Sequence, residues 1–253
     1  MILNHFSLHG KVAIVTGCNT GLGKSMAVGL AQAGCDIVAI NRSEPTETAN
    51  EVNALGRRFL SLQADLGQQD RLPALLAQAV SEMGQIDILV NNAGIIRRNE
   101  ALDFSEQDWD DVMNVNIKTL FFLSQLVAQQ FIKQGRGGKI INIASLLSFQ
   151  GGVRVPSYTA SKSAVMGLTR ELANEWARYG INVNALAPGY IATNNTQQLR
   201  DDQSRSNEIL ARIPAGRWGE PQDLMGPVVF LASSASDYVN GYTLAVDGGW
   251  LAR

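Results

Sequence analysis

Histidine and cysteine are scarce in this 253-residue sequence, which has two of each. His5 and His9 both lie near the N-terminus, and Cys18 and Cys35 form no Cys-x-x-Cys pattern. A protein zinc site needs three or four suitably spaced ligands, and a Ser-His-Asp triad needs a histidine beside the nucleophile. The sequence therefore predicts neither a metal site nor such a triad. We expect the cysteines to be small packing residues in a reducing compartment.

An excess of one charge and a long apolar run are also missing. The chain has 21 Lys and Arg against 23 Asp and Glu, a formal net charge of −2. A nucleic-acid-binding protein would show a basic stripe, and a membrane helix needs about 20 consecutive apolar residues. The first ten residues also lack the basic patch and apolar run of a signal peptide. We therefore expect no nucleic-acid or membrane partner and a cytoplasmic location.

Short apolar, β-branched runs alternate with helical patterns along the whole chain. Such nearly uninterrupted runs are typical of parallel strands buried on both faces. Their alternation with helices predicts one α/β domain over residues 1–253, with a doubly wound parallel sheet of about seven strands and helices on both faces. The predicted strands are 11–16, 36–40, 58–63, 86–90, 139–144, 181–186 and 242–246, and the predicted helices lie near 22–33, 46–55, 69–83, 106–134, 157–179 and 221–234.

The segment 189–215 fits neither a strand nor a clean helix. It is rich in Asn, Gln, Arg and Asp and follows the sixth predicted strand. Ligands of open α/β sheets bind outside the carboxyl ends of the strands. The segment is therefore predicted to be a substrate lid, and the alternative is a surface insertion without a role.

A glycine-rich turn, Thr-Gly-Cys-Asn-Thr-Gly-Leu-Gly over residues 16–23, joins the first predicted strand to the first predicted helix. Glycines allow the backbone to approach a pyrophosphate closely, and the helix N-terminus then offers free N–H groups and the positive end of its dipole. The position between strand and helix favours a dinucleotide phosphate site over a merely structural turn.

Tyr158 and Lys162 lie four residues apart on a predicted helix, so their side chains share one face. A phenol with a pKa of about 10 is a poor base at neutral pH, and a nearby ammonium group favours the phenolate. Such a pair alone occurs often by chance. Ser145 follows the fifth predicted strand and offers a hydroxyl to the substrate oxygen. Asn116 lies in an apolar helical region, where an unpaired buried amide is unfavourable.

These motifs, with Asn-Asn-Ala-Gly at 91–94, stand in the order found in the short-chain dehydrogenase/reductase family, which the chain resembles. The resemblance implies a Rossmann-like fold and hydride transfer between a nicotinamide cofactor and a hydroxyl or keto carbon. It implies that Tyr158 is the general acid/base, that Lys162 lowers the pKa of Tyr158 and binds the ribose, that Ser145 orients the substrate, and that Asn116 organises a proton-relay water beside Lys162. It also implies cofactor contacts from Gly17, Asn19, Gly21, Leu22, Gly23, Asn41, Arg42, Asp65, Leu66, Asn92, Ala93, Gly94, Tyr158, Lys162, Pro188, Gly189, Ile191 and Thr193.

Segments 148–152, 154–158, 192–200 and 247–253 resemble more narrowly the family members that act on sugar acids. This resemblance implies interconversion of a 5-hydroxy-2-keto acid and its 2,5-diketo form. Arginine is the natural bidentate ligand of a carboxylate. The expected substrate contacts are Arg98, Ser145, Gln150, Arg154, Tyr158 and Asn195, with Arg154 the first choice for the carboxylate and surface charge the alternative for the arginines.

The residues expected to bind the cofactor's ribose depart most from the usual pattern. An acidic residue about 20 positions past the glycines usually binds the NAD 2′-hydroxyl, but this sequence has Asn41-Arg42-Ser43 there. The whole-chain resemblance implies NAD, whereas Arg42 is suited to the 2′-phosphate of NADP or to stacking on the adenine. We expect NAD, with NADP possible because of Arg42.

Residues 120–132 are apolar around too much of a helix for one buried face, and Ala160, Ala164 and Gly167 permit close helix packing. The resemblance implies a homotetramer built on these two helices. Two other functions stay open: an NADP-dependent reductase of another ketone, polyol or 3-oxoacyl substrate, and a cofactor-binding protein without catalysis. The presence of Asn116, Ser145, Tyr158 and Lys162 together argues against the second.

Overall fold

The computed structural model describes all of residues 1–253 and contains one sheet of seven parallel strands. The strands are β1 (Val12–Thr16), β2 (Asp36–Asn41), β3 (Phe59–Gln63), β4 (Ile88–Asn91), β5 (Gly138–Ile143), β6 (Ile181–Pro188) and β7 (Thr243–Val246). Each predicted strand is present, with its ends displaced by two residues or fewer. The α/β prediction is therefore confirmed.

Nine α-helices connect and cover the strands. They are α1 (Gly21–Gln32), α2 (Thr46–Ala54), α3 (Leu72–Met83), α4 (Glu106–Met113), α5 (Leu120–Gln134), α6 (Pro156–Trp176), α7 (Gln197–Asp201), α8 (Gln203–Arg212) and α9 (Met225–Ala232). A π-helical turn, Asn114–Thr119, separates α4 from α5 within the single helical stretch expected over 106–134. None of the helices combines the length and apolar character that crossing a bilayer requires.

The strand order is β3-β2-β1-β4-β5-β6-β7, so the chain reverses its direction of winding between β1 and β4. Side chains alternate across the sheet: Ile14 of β1 belongs to one apolar cluster of 23 buried residues, whereas Val15 belongs to a second of 22. Helices therefore cover both faces, which leaves the carboxyl edge of the strands for ligands.

The segment 189–215, expected to form no clean helix, contains α7 and α8. Only Ile209 of α8 is fully buried, and no residue of α7 is. Both helices present mostly polar side chains, so the sequence offers little hydrophobic periodicity to reveal them. Asp202 begins α8 by accepting a hydrogen bond from the Arg205 amide at 3.0 Å.

Candidate active site

A cavity of about 840 Å³ lies at the carboxyl edge of the sheet. Its wall includes residues that follow β1, β2, β3, β4, β5 and β6, together with residues of α6 and of the 189–215 segment. All the expected cofactor contacts line it except Ile191. The Ile191 side chain is buried instead in the apolar cluster beneath α1 and α9.

The glycine-rich turn is shaped to bring bare backbone to this cavity. Gly17 and Gly21 have φ angles of +65° and +55°, which other residues rarely adopt. A Cβ atom on Gly23 would lie 2.2 Å from the Gly17 carbonyl oxygen and 2.4 Å from Asn92 Nδ2. The turn therefore leaves the N-terminus of α1 open to a phosphate group, as a dinucleotide cofactor requires.

Side chains beneath the turn hold it in place. The Cys18 amide donates to Asn41 Oδ1 at 2.7 Å, and Asn92 Nδ2 donates to the Thr16 and Gly17 carbonyls, each at 2.9 Å. Burial raises the pKa of the Cys18 thiol to about 11, and the hydrogen bonds of Asn41 and the backbone only partly oppose this effect. Cys18 is therefore an unreactive packing residue, as the sequence predicted.

Tyr158 and Lys162 of α6 meet Ser145, which follows β5, at one wall of the cavity. Lys162 Nζ lies 5.5 Å from the centroid of the Tyr158 ring. Burial raises the pKa of the Tyr158 phenol, while the hydrogen bond of Ser145 and the positive charge of Arg98 oppose this rise. Ser145 and Arg98 therefore favour the phenolate, and the Lys162 ammonium lies close enough to act in the same direction.

Lys162 is buried and has no acidic partner. Its ammonium group donates to the Ile143 carbonyl at 2.6 Å. Burial lowers the pKa of Lys162 from 10.5 to about 8. The group is therefore charged at neutral pH but close to titration, which suits a residue that helps to move a proton.

Asn116 lies in the π-helical turn behind this wall and does not line the cavity. Its Oδ1 accepts from the Ile95 amide at 2.9 Å, and its Nδ2 donates to the Ile95 carbonyl at 3.0 Å and to Ser161 Oγ at 3.1 Å. Both Nδ2 protons of the side chain are thus engaged, and Asn116 makes no hydrogen bond to Lys162. In this structure Asn116 ties the loop after β4 to α6, and the relay water beside it stays a prediction.

The arginines near the cavity point in different directions. Arg98 lines the cavity, and its guanidinium donates only to the Asn195 carbonyl, at 3.1 Å. Arg97 pairs with Asp108 and Asp111, each at 3.2 Å. Arg154 has a φ angle of +64° and extends away from the cavity to Glu100, 3.1 Å from its Nε. Of these three arginines, Arg154 does not line the cavity, and Arg98 is the one without a carboxylate partner, so Arg98 is better placed than Arg154 to bind a substrate carboxylate.

Gln150 also lies outside the cavity, contrary to expectation. Its Oε1 accepts from Trp250 Nε1 at 3.1 Å and faces Arg212 at 3.4 Å. The Oε1 atom is therefore engaged away from the cavity. Asn195, the remaining expected substrate contact, does line the cavity.

Comparison with known proteins accords with this geometry. The family model described as short chain dehydrogenase matches residues 11–204. The chain belongs to the short-chain dehydrogenase/reductase family. It is 76% identical over all of both chains to 2-dehydro-3-deoxy-D-gluconate 5-dehydrogenase of Escherichia coli (strain K12), and 57% identical to the Bacillus subtilis (strain 168) enzyme of the same name, over 98% of this chain and 97% of that one.

A solved structure shares both fold and length. The crystal structure of a gluconate 5-dehydrogenase from Burkholderia cenocepacia J2315, in complex with NADP and tartrate, has a TM-score of 0.95 and is 41% identical, with 100% of each chain covered. The Rossmann-like fold and membership of a nicotinamide-dependent enzyme family, both implied by the resemblance, are confirmed.

Sequence reasoning overlooked several residues of this dehydrogenase's cavity. Arg205 and Leu199 reach the cavity from α8 and α7, and Tyr190 does so from the segment after β6. Arg205 is also paired with Glu208 at 2.8 Å. The polar composition of 189–215 indicated a lid, but without a helix assignment no single residue of it could be oriented toward the site.

Proposed function

We propose that this short-chain dehydrogenase interconverts 2-dehydro-3-deoxy-D-gluconate and its 2,5-diketo form, as part of the breakdown of pectin- and uronate-derived sugar acids. The observation that carries the proposal is the meeting of Ser145, Tyr158 and Lys162 in one cavity with Arg98, whose guanidinium has no carboxylate partner. The first three groups suit proton transfer at a secondary alcohol, and the fourth suits an anionic substrate. The 76% identity over the full length of a 2-dehydro-3-deoxy-D-gluconate 5-dehydrogenase supports the same substrate.

Tyr158 is the acid/base of the proposed reaction. On oxidation, its phenolate takes the proton of the substrate hydroxyl while a hydride leaves the carbon that bears this hydroxyl. On reduction, its phenol returns a proton to the carbonyl oxygen. A nicotinamide held at the glycine-rich turn and the carboxyl edge of the sheet would supply the hydride acceptor or donor. Ser145 holds the reacting oxygen by a hydrogen bond. The positive charges of Lys162 and Arg98 favour the phenolate and so lower the pKa of Tyr158 toward neutral pH.

Arg98 and Asn195 are the proposed contacts for the substrate carboxylate and hydroxyls. A guanidinium binds a carboxylate through two parallel hydrogen bonds, an arrangement that fixes orientation as well as affinity. Arg98 already donates to the Asn195 carbonyl. Binding of the sugar acid would therefore join the loop after β4 to the 189–215 lid.

NAD(H) is the proposed cofactor, with NADP(H) as a second possibility that one observation favours. Arg42 lines the cavity just after β2 with no carboxylate partner for its side chain, and Glu44 is engaged by Ser61 at 3.0 Å. The Asn41 amide is committed to Cys18. The position whose side chain usually binds the ribose hydroxyls thus holds an arginine and no available carboxylate, which suits a 2′-phosphate.

We also propose a homotetramer in the cytoplasm. Phe122 and Ile132 of α5 are 40% and 44% exposed, and a groove of about 240 Å³ between α5 and α6 is lined by Phe121, Leu172 and Trp176. A Cβ on Gly167 of α6 would meet no atom within 4 Å, so this face is open to a close-packed partner. Both cysteines are free and buried, as is usual for proteins of a reducing compartment.

The absorbance at 340 nm tests the reaction. The purified protein would be mixed with 3-deoxy-2,5-diketo-hexonate and either NADH or NADPH. We expect rapid loss of absorbance, abolished by Tyr158→Phe while cofactor binding persists. No turnover with either cofactor would contradict the substrate assignment, and neutral ketones and polyols would then be tested as substrates. Turnover retained in Tyr158→Phe would contradict the catalytic assignment.

A further inference from the structure

The last residues of the chain make an unusual set of contacts around the lid. Trp250 is 4% exposed and shares an apolar cluster with Leu146, Ile209 and Ile213. Its indole Nε1 donates to Gln150 Oε1 at 3.1 Å, and the Arg212 guanidinium lies 4.0 Å from its ring centroid. One side chain therefore touches the loop that follows Ser145 and the C-terminal end of α8 at once.

Arg253, the final residue, holds the same end of α8. Its guanidinium donates to the Ala211 carbonyl at 3.0 Å and to the Arg212 carbonyl at 2.7 and 3.2 Å. The last carbonyls of a helix have no partner within the helix, and a cation is favourable there. Arg253 thus supplies from the tail a cap that α8 lacks.

Asp247, just before these residues, fixes their geometry. Its two carboxylate oxygens accept from the Gly249 amide at 2.8 Å and the Leu251 amide at 2.9 Å. Trp250 and Arg253 are therefore presented from a constrained turn rather than from a free end. By contrast, α8 buries only Ile209, and a ten-residue helix has little stability of its own.

We propose that the tail, Trp250–Arg253, is a positioning element for substrate binding, which seats α8 against the loop after Ser145. This inference rests on the proposed function. α8 carries Arg205, and Tyr190, whose ring centroid lies 4.7 Å from that of Trp250, also lines the cavity. Loss of the tail contacts would loosen this wall. Tyr158, Lys162 and the glycine-rich turn make no hydrogen bond to the tail, so proton transfer and cofactor binding would persist.

The test compares Arg253→Ala with Arg178→Ala, an exposed arginine at the amino edge of the sheet. With 3-deoxy-2,5-diketo-hexonate as substrate, we expect Arg253→Ala to raise the substrate KM about five- to tenfold, because hydrogen bonds from a charged donor to α8 are lost. The kcat and the cofactor KM should stay within about twofold. Arg253→Lys should recover part of the substrate KM, since an ammonium can still reach one carbonyl.

Trypsin digestion of the folded proteins supplies a second readout that does not rely on the proposed function. Arg200, Arg205 and Arg212 are cleavage sites within the lid, and we expect cleavage there to accelerate severalfold in Arg253→Ala and in Trp250→Phe, but not in Arg178→Ala. Unchanged cleavage with an unchanged substrate KM would overturn the proposal, and so would equal rises in substrate and cofactor KM. If the wild-type protein did not turn over the sugar acid, the proposed function would fail, and the digestion alone would decide the role of the tail.

Discussion

Lys162 places a positive charge in the interior without a carboxylate to balance it. Its side chain is 5% exposed and its only hydrogen-bond partner is the Ile143 carbonyl. Burial disfavours the charged form, which is why the pKa falls to about 8. This unfavourable burial occurs 5.5 Å from the Tyr158 ring, and perturbed pKa values of this kind are common at functional sites.

The pH dependence of stability measures that burial. Below about pH 8 Lys162 is charged in both the folded and unfolded chains, and the folded state bears the full desolvation penalty. Between about pH 8 and 10.5 the folded chain loses the proton first, so this group's penalty shrinks as the pH rises. The free energy of unfolding of the wild type relative to Lys162→Met should therefore rise over this window, by up to about 3 kcal/mol. Urea unfolding of both proteins from pH 7 to 10 checks this, and a constant difference would contradict it.

Arg98 and Arg154 lie on neighbouring loops but differ in what they can bind. Arg98→Ala should raise the KM of the sugar acid roughly 10- to 100-fold, because a charge-assisted pair is lost. Arg154→Ala removes only an exposed ion pair with Glu100 and should change the same KM by less than about threefold. The KM of a neutral ketone substrate serves as the control, since neither substitution removes a contact that such a substrate needs. Equal effects of Arg98→Ala on the anionic and neutral substrates would remove Arg98 from the carboxylate site.

Arg42 decides between the two cofactors. Arg42→Ala should lower kcat/KM for NADPH about tenfold or more and change that for NADH by about twofold or less, because only NADPH brings a 2′-phosphate to this end of the cavity. Steady-state rates at 340 nm with both cofactors supply the ratio. Parallel losses with the two cofactors would mean that Arg42 stacks on the adenine without reading the phosphate.

The strands could be predicted well, because buried parallel strands appear as short apolar runs whatever surrounds them. The proximity of Tyr158 and Lys162 could also be predicted from the sequence, because helical periodicity places residues four apart on one face. The helices of the 189–215 segment and the direction of the Arg154 side chain could not be predicted. α8 is held by distant residues of the tail, and Arg154 is turned outward by its own left-handed backbone and by Glu100. Such contacts join residues far apart in sequence, and local patterns do not encode them.

The turn between β1 and α1 has no room for a methyl group at Gly23. Gly23→Ala would drive a Cβ to within 2.2 Å of the Gly17 carbonyl oxygen, so we expect loss of cofactor binding and a destabilisation of roughly 1–3 kcal/mol. Gly226→Ala is the matched control for cofactor binding, because Gly226 does not line the cavity and a Cβ there meets no atom within 4 Å outside its chain neighbours. Cofactor titration by fluorescence and urea unfolding would check both. Normal cofactor affinity in Gly23→Ala would show that the turn can shift without harm.

The whole molecule covers both faces of its sheet but leaves the outer face of α5 and α6 uncovered. Apolar surface is exposed to water at Phe122, at Ile132 and in the groove between the helices. Such surface does not stabilise an isolated domain and commonly marks an interface. α6 also carries Tyr158 and Lys162, and the π-helical turn before α5 carries Asn116. Association through this face would therefore restrict the movement of the helices that carry Tyr158, Lys162 and Asn116.

Light scattering tests that association. We expect the wild-type protein to have four times the mass of one chain, and Ile132→Glu to shift the distribution toward smaller species, because burial of a carboxylate in an apolar interface is unfavourable. Leu55→Glu, at a comparable 42% exposure after α2, should leave the mass unchanged. If α5 and α6 brace the active site, the dissociated Ile132→Glu protein should also lose kcat. A monomeric wild type would contradict the tetramer, and a dissociated variant with full kcat would show that each subunit holds its catalytic wall alone.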